Sequence, residues 1–493
     1  AMSRYRAQII GAAVLVILAI IGILLVVLPA KEYGIVLDAG SSHTSMFIYK
    51  WPADKQNGTG IVTQHSECHA KGGGISSYAG KPGDAAKSLE ECMNHALKKI
   101  PKSRQQQTPL CLGATAGMRL LKEINPAESE RVLKEVGNKL NSYPFQFKEA
   151  KILSGQEEGA FGWVTVNYLL ENFIKYGFVG HWLNPGKSTI GALDLGGAST
   201  QITFETSQYL ENLESQMKLT LYGNTYTLYT HSFLCYGQDQ FLKRLLAHLI
   251  QTQGVSNQVI NPCYPPKFNI SINLGKDVFD SVCTKKYKPA NLDAKRNVTV
   301  VGSGDYQQCV NNVTEIFTFS NCSYSMCSFD GVFQPRVTGS FMAFSAFYHT
   351  QKYIKDITNI ALTSPSHAVE AAKLICNMTI TEANLTEKYM KYMKNLCSMS
   401  NFVQVLLTNG YHFDEASFPH VSFEKDVRSG ASVGWALGYM LEVSNKVPAE
   451  SLSMMKALPS GPWTGVIIIL TTFVLFALTG ICVFCVCVWG GGA

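Results

Sequence analysis

The sequence predicts an α/β protein of duplicated lobes, held between two membrane-spanning helices. Three observations carry this expectation. First, two Asp-Gly turns lie 156 residues apart, each after a short apolar strand and before a second strand: Val36-Leu37-Asp38-Ala39-Gly40-Ser41-Ser42-His43, and Ala192-Leu193-Asp194-Leu195-Gly196-Gly197-Ala198-Ser199. Second, strand signals and helical stripes are interspersed along a chain of 493 residues, long enough for two compact domains. Third, residues 7–30 and 463–489 carry no charge and are mostly apolar, each exceeding the ~20 residues that cross a bilayer as helix.

The elements follow in order. Strands are expected at 34–37 and 46–50 around the first turn, and Leu89, Met93, Ala96 and Ile100 form one stripe of a helix over 84–100. Residues 112–119 read as a strand entering a small-residue turn, and Asn125-Pro126 as the cap and first residue of a helix to about 140. Residues 152–159 form another turn, with Glu157 and Glu158 set between glycines, before a helix over 160–173. Past the second Asp-Gly turn, 209–224 and 255–303 are more polar, and the latter reads as a disulfide-stapled surface. Helices are expected at 341–354 and 396–407, and 429–439 is a Gly-rich stretch before the last apolar segment. The division that results is a span at 7–30, one lobe at 31–154 completed by 425–455, a second, disulfide-rich lobe at 155–424, and a span at 463–489.

Topology and compartment agree. Arg4 and Arg6 precede the first apolar stretch and favour a cytoplasmic start, which puts the bulk of the chain outside the cell and both termini inside. The first stretch reads as an anchor, since 27–30 is a poor cleavage site. Asn57, Asn269, Asn297, Asn312, Asn321, Asn377 and Asn384 all sit in Asn-x-Ser/Thr triplets between the spans. Eleven of the fourteen cysteines lie there too, an oxidising-compartment pattern. Near-neighbour pairs are expected at Cys68–Cys92, Cys322–Cys327 and Cys376–Cys397, with Cys111 free in a buried strand; Cys235, Cys263, Cys283 and Cys309 cannot be paired from spacing. Gly11 and Gly22 give the first span close-packing positions through which copies could associate.

A net charge of +6 without a basic block gives nucleic-acid binding little support. His65, Cys68 and His69 lack a fourth metal ligand, 180–188 has the wrong glycine spacing for a P-loop, and no Gly-x-Ser-x-Gly or His-Glu-x-x-His occurs. The two glycine turns in series suggest lobes that grip a polyphosphate from both sides, and hydrolysing a phosphoanhydride needs phosphate charge neutralised, water placed in line and a proton acceptor. Asp38 and Asp194 could hold Mg²⁺ or Ca²⁺, directly or through water. The turns at Gly40–His43 and Gly196–Ser199, with Thr115 and Ala116, could donate to phosphate oxygens. Glu157 and Glu158 supply a paired carboxylate, one of them the natural base. A single Asp-x-Gly turn is more often only a turn; the matching second copy is what gives it weight.

Five motifs, in order, make the chain resemble the ecto-nucleoside triphosphate diphosphohydrolases, or ecto-apyrases: DAGSSHTS at 38–45, GATAGMR at 113–119, GQEEGAFGW at 155–163, DLGGASTQ at 194–201 and GWALGYM at 434–440. HSFLCYG at 231–237 and FSAFY at 344–348 are also similar, and 46–55 and 168–177 are most similar to the triphosphate-preferring cell-surface branch. The resemblance implies two actin/Hsp70-like, ribonuclease-H-like lobes with nucleotide in the cleft. It implies extracellular hydrolysis of ATP and other nucleoside triphosphates, ATP before ADP, controlling purinergic signalling. By position, Glu158 would activate water with help from Ser199 and Gln201, and Asp38 and Asp194 would organise the cation. Ser41, Ser42, His43, Thr115, Ala116, Gly196, Gly197 and Ala198 would meet the phosphates, and Tyr348 would stack on the base. The branch this chain most resembles is expected to offer an Arg on the base's other face, just before the cysteine matching Cys397. Here the segment reads Lys391-Tyr392-Met393-Lys394, so Tyr392 by stacking, or Lys391 by cation–π contact, takes that place. The competing readings are a broader apyrase, a lumenal diphosphatase, and a surface protein that binds nucleotide without hydrolysing it.

Overall fold

Two β-sheets with the same strand order organise the chain. The computed structural model describes residues 17, 27–29, 31–52, 62–173, 175–176, 182–183, 186–254, 256–379, 387–426, 431–446, 454–456, 464–476 and 479. The first sheet contains β1 (Lys31–Ala39), β2 (Thr44–Pro52), β3 (Thr63–His69), β4 (Pro109–Ala114) and β5 (Gln146–Ile152), ordered β3-β2-β1-β4-β5. The second contains β6 (Gly191–Leu195), β7 (Ser199–Glu205), β8 (Gln216–Leu221), β9 (Asn224–Leu234), β13 (Phe341–Ser345) and β14 (Val421–Phe423), ordered β8-β9-β7-β6-β13-β14. Setting aside the edge strand β8, each sheet runs third, second, first, fourth, fifth. The two Asp-Gly turns therefore occupy equivalent places, each at the end of the central first strand. β10 (Gln258–Asn261), β11 (Asn269–Asn273) and β12 (Asn297–Gly302) form a separate three-stranded sheet.

Local chemistry explains the elements around the first sheet. β4 is buried along its whole length, as its run Pro-Leu-Cys-Leu-Gly-Ala demands. Helices α1 (Asp84–Ser88), α2 (Glu90–Lys99), α3 (Ala116–Ile124) and α4 (Pro126–Asn141) follow the sequence stripes. The Asn125 side chain accepts from the Glu128 amide with Pro126 in the first turn, which fixes where α4 starts. Met93 and Ala96 of α2, and Val132, Val136 and Leu140 of α4, are buried in one cluster with Ile35, Leu37, Leu110 and Leu112. Each fully buried Leu, Ile or Val contributes about 1.5–3 kcal/mol.

The second half is built from α5 (Gly155–Leu169), α6 (Gln238–Gln253), α7 (Tyr306–Thr314), α8 (Ala346–Thr358), α9 (Pro365–Asn377), α10 (Glu387–Val405) and α11 (Trp435–Lys446). Its cluster is rich in aromatics, including the stacked pairs Phe233–Phe329 and Phe241–Phe402, both at 4.0 Å between centroids. Disulfides staple both halves. Cys68–Cys92, Cys322–Cys327 and Cys376–Cys397 pair as spacing suggested; Cys235 joins Cys283, Cys263 joins Cys309, and Cys111 is a buried free thiol. Among the described residues the one group of three metal-type ligands, Cys309, Cys376 and Cys397, belongs to two adjoining disulfides and is not a metal centre.

Several elements differ from expectation. Residues 341–354 are not one helix: Phe341–Ser345 is a strand, and Ser345, at φ 59°, breaks the chain before α8. A short buried apolar run cannot be told from a helix by periodicity. The helix over 84–100 is interrupted at Leu89. Glu157 and Glu158 sit in the first turn of α5, not in a turn ahead of a helix. The Gly-rich 429–439 becomes helix from Trp435, and 255–303 contains the three-stranded sheet.

The chain divides into two units, and both large sheets belong to the one made of 33–49 and 63–446. The other, 1–32 with 50–62 and 447–493, contains a ladder pairing Val27–Pro29 with Met454–Lys456, and the Trp51 indole donating to the Glu32 carboxylate. In it residues 464–476 are helical, with Ile468, Ile469, Phe473, Leu475 and Phe476 exposed. Most of the two expected spans lies outside the described residues; among those described, no helix is long and apolar enough to cross a membrane.

Candidate active site

The parallel pairing of β1 with β4 sets Asp38 opposite Gly113 and Ala39 opposite Ala114. The Thr115 amide then donates to the Ala39 carbonyl (3.1 Å), which brings the start of α3 beside the first Asp-Gly turn. In the second sheet the parallel pairing of β6 with β13 sets Asp194 opposite Phe344 and Leu195 opposite Ser345. The second turn is held from below by α6, whose Gln238 and Asp239 amides donate to the Gly196 and Gly197 carbonyls (both 2.9 Å). The two turns meet. A Cβ on Gly197 would lie 2.6 Å from Ser41 Oγ, so this approach requires glycine.

The turns bound one cavity of about 790 Å³. It is lined by Asp38, Ser41, Ser42, His43, Thr115, Ala116, Glu158, Asp194, Gly196, Gly197, Ala198 and Ser199. The two carboxylates of α5 part company here. Ser154 and Glu157 form a capping box, and Lys151 Nζ lies 3.2 Å from Glu157 Oε1, so Glu157 is used structurally. One residue further round the helix, Glu158 turns inward and is only 7% exposed.

Glu158 is the centre of a polar network. Its Oε2 accepts from Arg119 NH2 at 2.5 Å and from Gln201 Nε2 at 3.3 Å. The Gln201 amide nitrogen also lies 2.7 Å from Ser199 Oγ and 2.8 Å from Ser232 Oγ. An NH₂ has two hydrogens for these three acceptors, so the network has more than one donor arrangement. Arg119 further donates to Ser199 Oγ (3.1 Å) and Ser232 Oγ (3.3 Å).

Burial disfavours the charged form of all three cavity carboxylates. Burial, reinforced by Glu158 and Asp194, pushes Asp38 up to about 8, against a hydrogen bond from Trp435. Burial pushes Glu158 up to about 7; the Arg119 charge opposes it and Asp194 adds to it. Asp194 is pushed up to about 6 by burial, with Ser345 hydrogen-bonded against the shift. Neither Asp38 nor Asp194 forms an ion pair with Lys or Arg among the described residues. Hard carboxylate oxygens without a cationic partner, facing a cavity bounded by amide-rich turns, fit a divalent cation.

The sequence pattern of the GDA1/CD39 (nucleoside phosphatase) family matches residues 28–457. The chain belongs to this family. It is 48% identical over 483 residues to ectonucleoside triphosphate diphosphohydrolase 2 of Gallus gallus, covering 96% of each chain. It is 50% identical over 451 residues to the Homo sapiens protein of that name, covering 91% of this chain and 90% of that one. A crystal structure of nucleoside triphosphate hydrolases from Neospora caninum superposes with a TM-score of 0.62 at 16% identity, covering 86% of this chain and 95% of that one. That match is one of fold, α/β with mixed sheets. The family member described here is an enzyme, a nucleoside triphosphate diphosphohydrolase that cleaves acid anhydrides.

The enzyme's cavity brings together most of the residues singled out from sequence. Gln201 stands behind Ser199, one layer back from the cavity. Tyr348 does not line the cavity. The aromatic wall comes instead from His349 and Tyr353 of α8 and Tyr392 of α10, with Tyr353 and Tyr392 stacked at 4.9 Å and 24°. The Lys391 side chain lies outside the described residues, while Lys394 and Lys425 line the cavity. Sequence reasoning passed over Arg119, Ser232, Ser345 and Trp435. Each lies inside a motif quoted for other members, and their polar groups were the available signal. It also passed over Asp239 and Glu67, and weighed His69 only as a metal ligand; the Glu67 and His69 side chains approach to 3.2 Å on the cavity wall.

Proposed function

We propose that this enzyme hydrolyses extracellular nucleoside triphosphates, ATP in preference to ADP, by direct attack of water on the terminal phosphorus. The observation that carries the reading is the convergence of Asp38, Glu158 and Asp194 on one cavity bounded by both glycine turns. Glu158 accepts the proton of the attacking water. Ser199 and Gln201, hydrogen-bonded to each other at 2.7 Å, orient that water. Backbone amides of 40–43, 115–116 and 196–198 hold phosphate oxygens, and the glycines let the chain come close enough to do so. Asp38 and Asp194 hold Ca²⁺ or Mg²⁺, which supplies neutralisation of phosphate charge. The base stacks on the aromatic wall, with Tyr392 as its platform.

The lobes divide as 31–154 with 425–455, and 155–424, each a ribonuclease-H-like unit; the repeated strand order supports this. Spans at 7–30 and 463–489 anchor the chain in the cell membrane, with both termini cytoplasmic and copies associating through the spans. The exposed apolar face of 464–476 supports a lipid environment there. Asn269, Asn297, Asn321 and Asn377 are exposed and carry N-glycans.

The test is phosphate release by intact cells expressing the chain, from ATP and separately from ADP, with Ca²⁺ or Mg²⁺ and with EDTA. Chelator-sensitive release from ATP with little from ADP is expected. Comparable release from both makes it a broad apyrase, and absence of release despite surface expression refutes the ectoenzyme reading.

A further inference from the structure

Arg119 is the one cation within hydrogen-bonding reach of Glu158 among the described residues, yet it is not part of the cavity wall. Its side chain is 15% exposed and lies behind the carboxylate. Arg119 sits on α3, and that helix emerges from β4 of the first sheet. The residues its guanidinium reaches belong to the second half: Glu158 on α5, Ser199 on β7 and Ser232 on β9. The start of the same helix, Thr115 and Ala116, lines the cavity beside the first glycine turn. Gly155 makes room for the guanidinium, because a Cβ there would lie 2.6 Å from Arg119 NH1 and 2.3 Å from Ser232 Cβ.

We propose that Arg119 is a positioning residue that couples phosphate binding at the start of α3 to alignment of the Glu158 carboxylate across the two halves of the molecule. The proposal rests on the reading of Glu158 as base. Arg119 cannot be a direct ligand of substrate from behind the carboxylate. Its planar fork instead fixes two things together: the direction of the Glu158 oxygen that receives a proton, and the Ser199 hydroxyl beside it. Fork geometry is what guanidinium supplies and ammonium does not. Phosphate held at the first turn of α3 steadies that helix, and with it the guanidinium that aims the base. Without the guanidinium the Glu158 carboxylate keeps only the 3.3 Å contact from Gln201 to fix its orientation.

The test uses the full chain in membranes, with Arg119→Ala, Arg119→Lys, Glu158→Gln and the double variant R119A/E158Q. The measurements are kcat and KM for ATP with Mg²⁺, and binding of a fluorescent triphosphate analogue to confirm folding. Arg119→Ala is expected to lower kcat about 100-fold with KM little changed, the scale of an ångström-sized misplacement. Free guanidinium added to that variant should restore part of the loss, and Arg119→Lys should fall between the two. The double variant should be no slower than Glu158→Gln alone, since Arg119 acts through that carboxylate. A rise in KM with kcat retained would make Arg119 a substrate ligand and overturn the proposal. So would multiplicative losses in the double variant. Near-normal turnover by Glu158→Gln would instead remove the base reading itself, a separate outcome. If Arg119→Ala fails to bind the analogue, the Lys variant decides: full kcat there overturns the proposal.

Discussion

Loading the cavity with a divalent cation should expel protons, and the number should collapse between pH 7 and pH 9. A carboxylate whose pKa is raised keeps its proton until the pH passes the raised value, whereas a hard cation binds the ionised oxygen, so binding displaces the proton. With Asp38 at about 8, Glu158 at about 7 and Asp194 at about 6, the cation-free site at pH 7 carries roughly 0.9, 0.5 and 0.1 of a proton on the three groups. Ionisation of the two aspartates that hold the cation then releases about 1 proton at pH 7 and about 0.1 at pH 9, and the apparent affinity tightens about 10-fold over that interval. The assay is calorimetric titration of Ca²⁺ into chelator-treated protein, in buffers of different ionisation enthalpy at each pH. The three carboxylates titrate as a coupled set, so the summed proton count is the quantity to compare. Equal proton release at both pH values, or none at pH 7, would refute the reasoning that Asp38 and Asp194 are a cation site desolvated by the fold.

Three further outcomes are expected. Glu158→Gln should lower kcat by about 10²–10⁴-fold, the range for loss of a positioned proton acceptor, while binding of a triphosphate analogue persists; steady-state kinetics with equilibrium binding checks both. Tyr392→Ala should raise KM with kcat little affected, by the about 1–3 kcal/mol that base–aromatic stacking supplies, whereas Tyr348→Ala should change KM less. Gly438→Ala puts a Cβ 2.1 Å from the Phe161 carbonyl oxygen, where α11 crosses α5, and disturbs the Gly438 amide bond to Thr165 Oγ1 (2.8 Å); a loss of about 1–3 kcal/mol should appear as a lowered unfolding midpoint in thermal scans.

How much of this was legible follows the range of each interaction. The Asp-Gly turns and the Asn125 cap are local. Their partners lie within four residues, so residue order alone points to them. Three disulfides closing loops of 5 to 24 residues were legible for the same reason, while Cys235–Cys283 and Cys263–Cys309, separated by 48 and 46, were not. The strand at 341–345 was read as helix because a buried central strand shows no alternation, and only insertion between β6 and β14 gives it a sheet to join.

The sequence by itself determined the α/β class, the duplication, the chemistry of the two turns and the family to which the chain belongs. All of these reside in residue types at short, fixed spacing. The tertiary structure decided which of two adjacent glutamates faces the cavity, because the capping box takes Glu157 and the helical turn of 100° per residue swings Glu158 inward. It decided that Tyr353 rather than Tyr348 joins Tyr392 in the aromatic wall, since α8 and α10 meet along a face that no local pattern marks. It also brought Arg119, 39 residues from Glu158 and 113 from Ser232, into one network with them. Contacts across such separations come from strand order and helix packing, and those are properties of the folded chain as a whole.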